Sequence, residues 1–191
     1  MQRPEGHSPR WSVSCTLPSA PVRSRLLPSV TRVGIGYDSH RFVAGRSLVL
    51  AGITIPHSHG LAGHSDADAV AHALTDAILG AACAGNIGRL FPDTDPRWKD
   101  AHSMELLGSA HEIVRARGLR VRQADLTIIA EQPKLDPHLD AMAAALASRL
   151  GVPPADVSVK AKTNEGMGWI GRGEGIAVMA VATLMEPGSG H

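Results

Sequence analysis

From residue 32 onward, apolar and polar positions recur with periods that change along the chain, and each change marks an element. Residues 32–37 (RVGIGY) alternate as a strand ending in Asp38. Residues 47–55 (SLVLAGITI) read as one or two short strands, broken at Gly52 and stopped by Pro56. Val70, Ala73, Leu74, Ala77, Ile78 and Ala81 recur at helical spacing. They predict a helix capped by Ser65 and running to about Ala84, with Asp66 and Asp68 in its first turn. A second helix fits residues 103–117, closed by Gly118, and a third opens at Asp136-Pro137 and ends at Gly151. Residues 124–130, 156–161 and 175–184 read as strands. The order β, β, α, α, β, α, β, β predicts one α/β domain of α+β type, with a mixed four-stranded sheet and helices packed on one face.

Composition narrows the picture. With 191 residues, 43% of them apolar, the chain has enough material for one domain with a core. Six residues are aromatic (three Trp, two Phe, one Tyr), so the core must be built from Ala, Val, Ile and Leu. The longest apolar stretch, residues 175–185, falls short of the roughly 20 residues of a membrane span, so no membrane partner is expected. A net charge of +1 argues against a nucleic-acid-binding face. Cys15 and Cys83 are too few for a disulfide framework or a thiolate zinc site, which suits a reducing compartment.

Residues 1–31 differ from the rest, with five Pro, six Ser, four Arg and a single acid, Glu5. Without them the chain carries 15 basic and 17 acidic residues, a formal charge of −2. They read as a disordered extension or an over-long start, or else as an organelle targeting leader. Residues 32–186 then form the domain and 187–191 a tail.

Four segments carry candidate chemistry. In Asp38-Ser39-His40 the carboxylate and imidazole lie two residues apart and share one side of an extended backbone. With His72 they make a one-oxygen, two-nitrogen set that suits tetrahedral zinc with its fourth position open, although a lone helical histidine also serves as a structural residue. Asp68 and Asp76, four residues on either side, are expected to fix the His72 tautomer. His57 and His59 offer a rival pair beside Pro56. His64 and Ser65, at the predicted helix N-terminus, suit a phosphate. Asn86-Ile87-Gly88 and residues 91–95 suit a polyhydroxylated ligand or simply a turn. The glycine-rich segment 160–175 offers Thr163, Glu165 and Arg172, but neither a P-loop nor a dinucleotide fingerprint.

GIGYDSHRF, AGHSDADAVAHALTDAILGA, IGRLFPDTDP, TIIAEQPKL and KAKTNEGMGWIGRGEG follow one another in that order over about residues 32–184. Together they resemble the 2-C-methyl-D-erythritol 2,4-cyclodiphosphate synthase family of the non-mevalonate isoprenoid pathway. The resemblance implies an enzyme that cyclises a CDP-linked methylerythritol 2-phosphate, the 2-phosphate attacking the β-phosphorus with loss of CMP. It assigns Asp38, His40 and His72 to zinc, and Glu165 to a second ion, Mg²⁺ or Mn²⁺. His64 and Thr163 would be catalytic, with Ser65 contacting phosphate. Ala130, Glu131, Gln132, Pro133, Lys134, Leu135 and Asp136 would receive cytosine and ribose. Asn86, Ile87, Gly88, Phe91, Pro92, Asp93, Thr94 and Asp95 would receive methylerythritol, and Lys162, Asn164, Trp169 and Arg172 complete the substrate set.

The resemblance also implies a homotrimer, sheets inside and helices outside, with active sites between subunits. Arg172 and Glu174 would face a cavity on the three-fold axis that takes isoprenoid diphosphates. A bacterial cytoplasm is the default setting, with a plastid-type organelle as the alternative. Asn86 replaces the family's aspartate, Ala67 a glycine, Asn164 a common threonine, and Trp169 an apolar residue. Ala67 is expected to be harmless inside a helix. A zinc hydrolase, and a trimeric isoprenoid-diphosphate-binding module with structural zinc, are the rival readings.

Overall fold

The computed structural model describes residues 30–186; the proposed extension, up to residue 29, and the proposed tail lie outside the described residues. Seven strands and five α-helices follow in order. β1 (Thr31–Ala44) is followed by a hairpin, β2 (Leu48–Leu50) and β3 (Ile53–Ile55), and then by β4 (His59–Leu61). Three helices come next: α1 (Ala69–Ala81), the single turn α2 (Ile87–Leu90), and α3 (Ser103–Ala116). The chain ends β5 (Arg120–Ile129), α4 (Leu139–Leu150), β6 (Val157–Lys162), α5 (Gly168–Gly171) and β7 (Gly175–Met185).

The expected mixed sheet with helices on one face is present, but it has five strands, in the order β4-β1-β7-β5-β6. The additional strand is β4, where the chain after Pro56 returns beside Phe42, Val43 and Ala44. Three residues are too few to show a period. β1 is also longer than its alternation suggests and runs through Asp38, Ser39 and His40. Antiparallel pairing with β7 holds it extended from Thr31, opposite Met185, to Arg41, opposite Gly175. Among the described residues β5 and β6 are the one parallel pair, joined through α4. The break expected at Gly52 is the β2–β3 turn, where Ala51 and Gly52 both have positive φ (52° and 74°), as a two-residue hairpin requires.

The start of α1 corrects the sequence reading. The cap is Asp68, not Ser65, and Ser65, Asp66 and Ala67 precede the helix. Ala67 has φ 59°, a left-handed conformation that a helix cannot contain, so its methyl group is not in the harmless setting expected for it. The Asp68 carboxylate is fully buried and accepts the N–H groups of Val70 and Ala71 at 3.1 Å, Ala51 at 2.8 Å and Gly52 at 2.7 Å. One side chain thereby caps the helix and fastens the hairpin turn to it. The third predicted helix opens as a 3₁₀ turn at Asp136–His138 before α4, and Gly151 closes it in the left-handed conformation.

α1 lies against β1 at backbone distance. A Cβ on Gly36 would stand 1.8 Å from the Ala73 carbonyl oxygen, and one on Gly34 would stand 2.0 Å from that of Ala77. Ala73, Ala77, Ala180 and Ala182 are fully buried around this contact, which is how a chain with so few aromatics fills its core. The opposite face is apolar and open: Val33, Ile35, Tyr37, Met179 and Val181 are 38–68% exposed on neighbouring positions of β1 and β7.

Gly36→Ala is expected to force α1 off the sheet, at the upper end of or beyond the roughly 1–3 kcal/mol of ordinary overpacking. A urea midpoint equal to that of the wild type would show that the two backbones do not touch as described.

Candidate active site

The long β1 carries Asp38 and His40 on one side, and the contact between β1 and α1 sets His72 opposite them. Asp38 Oδ2 lies 3.0 Å from both His40 Nε2 and His72 Nδ1, and the two nitrogens are 3.3 Å apart. Metal–ligand bonds of about 2.0–2.1 Å in a tetrahedron put ligand atoms about 3.3 Å apart, so this triangle matches a divalent ion with one position open. The Ala62 carbonyl, 2.7 Å from His40 Nδ1, can only accept a hydrogen bond. In the neutral ring that leaves Nε2 a lone pair facing the cluster. Burial raises the Asp38 carboxyl, but His40 and His72, whose facing nitrogens donate to it when they carry a proton, outweigh this and hold the group well below the usual carboxylate range. Burial lowers His40, yet the bond to Asp38 reverses this and raises it above 6.5.

Neither acid expected to orient His72 touches it. Asp68 is committed to the cap, and Asp76 Oδ1 accepts the Ile87 N–H at 2.7 Å, fixing the start of α2. Helical spacing put both on the right side of the ring, but backbone donors had the stronger claim. The groups at His72 Nε2 are two hydroxyls, Ser103 at 2.8 Å and Ser65 at 3.2 Å. Ser103 lies 31 positions away, and nothing in the local pattern pointed to it.

Beside the cluster opens a cavity of about 420 Å³ lined by His40, His64, Ser65, His72, Ile87, Gly88, Phe91 and Asp93, all singled out from the sequence, together with Trp98 and Leu106, which were not. His64 Nε2 and Trp98 Nε1 are buried and lack a partner among the described residues. Phe91 packs edge-on against Trp98, which positions the indole. The rest of the predicted loop does not line this cavity. Asp95 pairs with Arg97 at 2.6 Å, and Pro92 and Thr94 stand outside. Asn86 is exposed and uses Oδ1 to cap α2 through the Arg89 N–H at 3.1 Å. Asn and Asp cap equally well, so either residue would serve at this position.

A second hollow, of about 100 Å³, gathers Ala130, Glu131, Pro133, Lys134, Leu135, Asp136, Lys162 and Thr163. Next to it, Thr163 donates to Glu165 at 2.8 Å, and Glu131 accepts the backbone N–H groups of Asn164 and Gly166. Gln132, Trp169 and Glu174 instead line a third concave region, about 930 Å³, with His40, Arg41, Phe42, His57 and His59, and Arg172 pairs with Glu174 at 2.5 Å. The two smaller hollows lie three strands apart across the sheet. His40 pairs with Ile176, the neighbouring Ala177 with Ile129, and Ile129 with Lys162. Three strand spacings make that roughly 14 Å.

A mixed sheet backed by helices, with an Asp-His-His cluster that fits a divalent metal ion beside a partly polar cavity, defines an α/β protein with an enzyme-like site. The chain belongs to the YgbB family, whose profile matches residues 31–185. The 2-C-methyl-D-erythritol 2,4-cyclodiphosphate synthase of Moorella thermoacetica is 54% identical over 159 residues, 83% of this chain and 98% of that one. A structure of 2C-methyl-D-erythritol-2,4-cyclodiphosphate synthase in its CDP-bound form superposes with a TM-score of 0.74 at 42% identity, covering 80% of this chain and 99% of that one. The bifunctional IspDF of Campylobacter jejuni gives 0.81 at 44% identity over 83% of this chain, which spans 43% of that longer one. No helix among the described residues is long and apolar enough to cross a membrane.

Because His40 is raised above 6.5, protons should compete with the metal from above that pH rather than at it. Affinity should fall about tenfold per pH unit for each proton displaced. Chelator competition between about pH 8 and 5.5 reads this directly, and an affinity flat down to about pH 6 would contradict it.

Proposed function

We infer that this chain converts 4-diphosphocytidyl-2-C-methyl-D-erythritol 2-phosphate to 2-C-methyl-D-erythritol 2,4-cyclodiphosphate with release of CMP, a metal-dependent intramolecular phosphoryl transfer. The observation that carries the reading is the convergence of the three-donor cluster, His64, Ser65 and the Ile87–Gly88–Phe91–Asp93 wall on one cavity. One carboxylate and two imidazoles suit zinc, and bound there it would neutralise phosphate charge. Asp38, His40 and His72 hold it. His64 offers an unpartnered buried nitrogen and Ser65 a hydroxyl to the phosphate oxygens, and Ile87 and Phe91 exclude water around the methylerythritol carbon chain. The attacking phosphate is already anionic at neutral pH, so the residues align it and need not deprotonate it.

The hollow around Lys134 takes the cytidine, Thr163 the diphosphate, and Glu165 the second ion, Mg²⁺ or Mn²⁺. Thr163 and the cluster are about three strands apart in one chain, and the proposed assembly would let residues of two copies serve one substrate. The open strip Val33, Ile35, Tyr37, Met179 and Val181 supports a homotrimer with sheets inside, and a bacterial cytoplasm is its proposed setting. Arg172, already paired with Glu174, would exchange that partner for an isoprenoid diphosphate in the central cavity.

Three outcomes are expected. Purified protein with zinc and Mg²⁺ should release CMP and form the cyclic diphosphate, and His72→Ala should lose both activity and bound zinc while staying assembled. Full turnover in that variant would end the assignment. Ile35→Lys should convert a trimer to smaller species by sedimentation, because three buried charges would meet at the axis; an unchanged sedimentation coefficient would place the interface elsewhere.

A further inference from the structure

Ser103, the first residue of α3, is fully buried, and its hydroxyl oxygen touches three groups. These are an Asp66 carboxylate oxygen, His72 Nε2 at 2.8 Å and Ser65 Oγ at 3.2 Å. The other Asp66 oxygen accepts the Ser103 backbone N–H at 3.1 Å, so the carboxylate grips both donors of one residue. A hydroxyl donates once and accepts twice. Its single proton goes to the ionised acid, the stronger acceptor. Ser103 Oγ therefore meets His72 only as an acceptor, and Nε2 must bring the hydrogen. In a neutral imidazole that leaves the lone pair on Nδ1, facing Asp38 and His40.

We propose that Asp66 and Ser103 act as positioning residues that fix His72 in its Nε2-protonated tautomer and so present Nδ1 to a divalent cation. The relay works against a competing pull, since Asp38 Oδ2, 3.0 Å from Nδ1, draws a proton to that nitrogen whenever no cation is bound. His40 receives the same treatment from the opposite ring position, by the Ala62 carbonyl. The two histidines are thus poised by different means, one by the backbone and one by an acid acting through a hydroxyl. This rests on reading Asp38, His40 and His72 as a metal site.

Nitrogen-15 NMR of the histidines in the metal-stripped full chain, at about pH 8, reads the tautomer, and chelator competition reads zinc affinity. The wild type should show His72 protonated at Nε2. Ser103→Ala removes the nearer acceptor and leaves Ser65 Oγ, at 3.2 Å, as the weaker one. Asp66→Asn, turned to keep its oxygen on the Ser103 N–H, presents its NH₂ to the hydroxyl and redirects that proton to Nε2. Both variants should move His72 toward the Nδ1 tautomer and weaken zinc about 10- to 100-fold, with one zinc per chain still reached at saturation. A wild-type His72 protonated at Nδ1 overturns the proposal without need of any variant. So does zinc affinity within about twofold of wild type in either folded variant. A wild type that takes up no zinc while His72 still reports the Nε2 tautomer overturns the metal-site reading instead.

Discussion

The close approach of β1 and α1 is the constraint on which the rest of the structure depends. Gly34 and Gly36 leave no side chain between the strand and the carbonyls of Ala77 and Ala73, and the two elements run in opposite directions. Two strand residues advance about 6.7 Å and four helical residues about 6 Å, so the contacts stay nearly in step. Carried one step further along β1, the register leaves glycine for Asp38 and comes level with the turn of α1 that bears His72. A bulky residue at either glycine would widen the gap and move one metal donor away from the other two.

The segment between β4 and α1 is the second organising element, because its two aspartates face different ways. Asp68 turns inward to the hairpin and the helix cap, and Asp66 reaches across to the start of α3. Ala67 between them takes the left-handed conformation that lets carboxylates two residues apart serve separate partners. Arg46 adds a clamp from outside, donating to the Gly63 carbonyl at 2.8 Å and to that of Ser65. His64 and Ser65 are therefore held at the cavity wall by neighbours on both sides.

Much of this was legible in the chain. Spacing two on a strand placed Asp38 with His40, and the helical face of α1 was correct from Val70 to Ala81. Three acceptable caps stood within four residues of one another, however, and only the hairpin N–H groups, 16 and 17 positions earlier, favour Asp68. Ser103 and Leu106 join the site from α3, whose own pattern speaks of amphipathic packing, and Trp98 from the 3₁₀ turn before it. β4 escaped notice because its pairing, not its composition, makes it a strand. Local periodicity thus predicted the elements, and long-range hydrogen bonds decided which polar residue serves which partner.

The last strand of the domain is also the middle of its sheet, with β1 on one side of β7 and β5 on the other. Pairing Thr31 with Met185 closes a loop of about 150 residues, an entropic cost of roughly 4 kcal/mol by the logarithmic law. While the ribosome is still making the segment before β7, β1 and β5 have no common neighbour, and α1 has only part of the floor it will rest on. The nascent chain therefore carries unpaired strand edges and bare apolar helix faces until nearly the whole domain has emerged, when one strand joins the two halves.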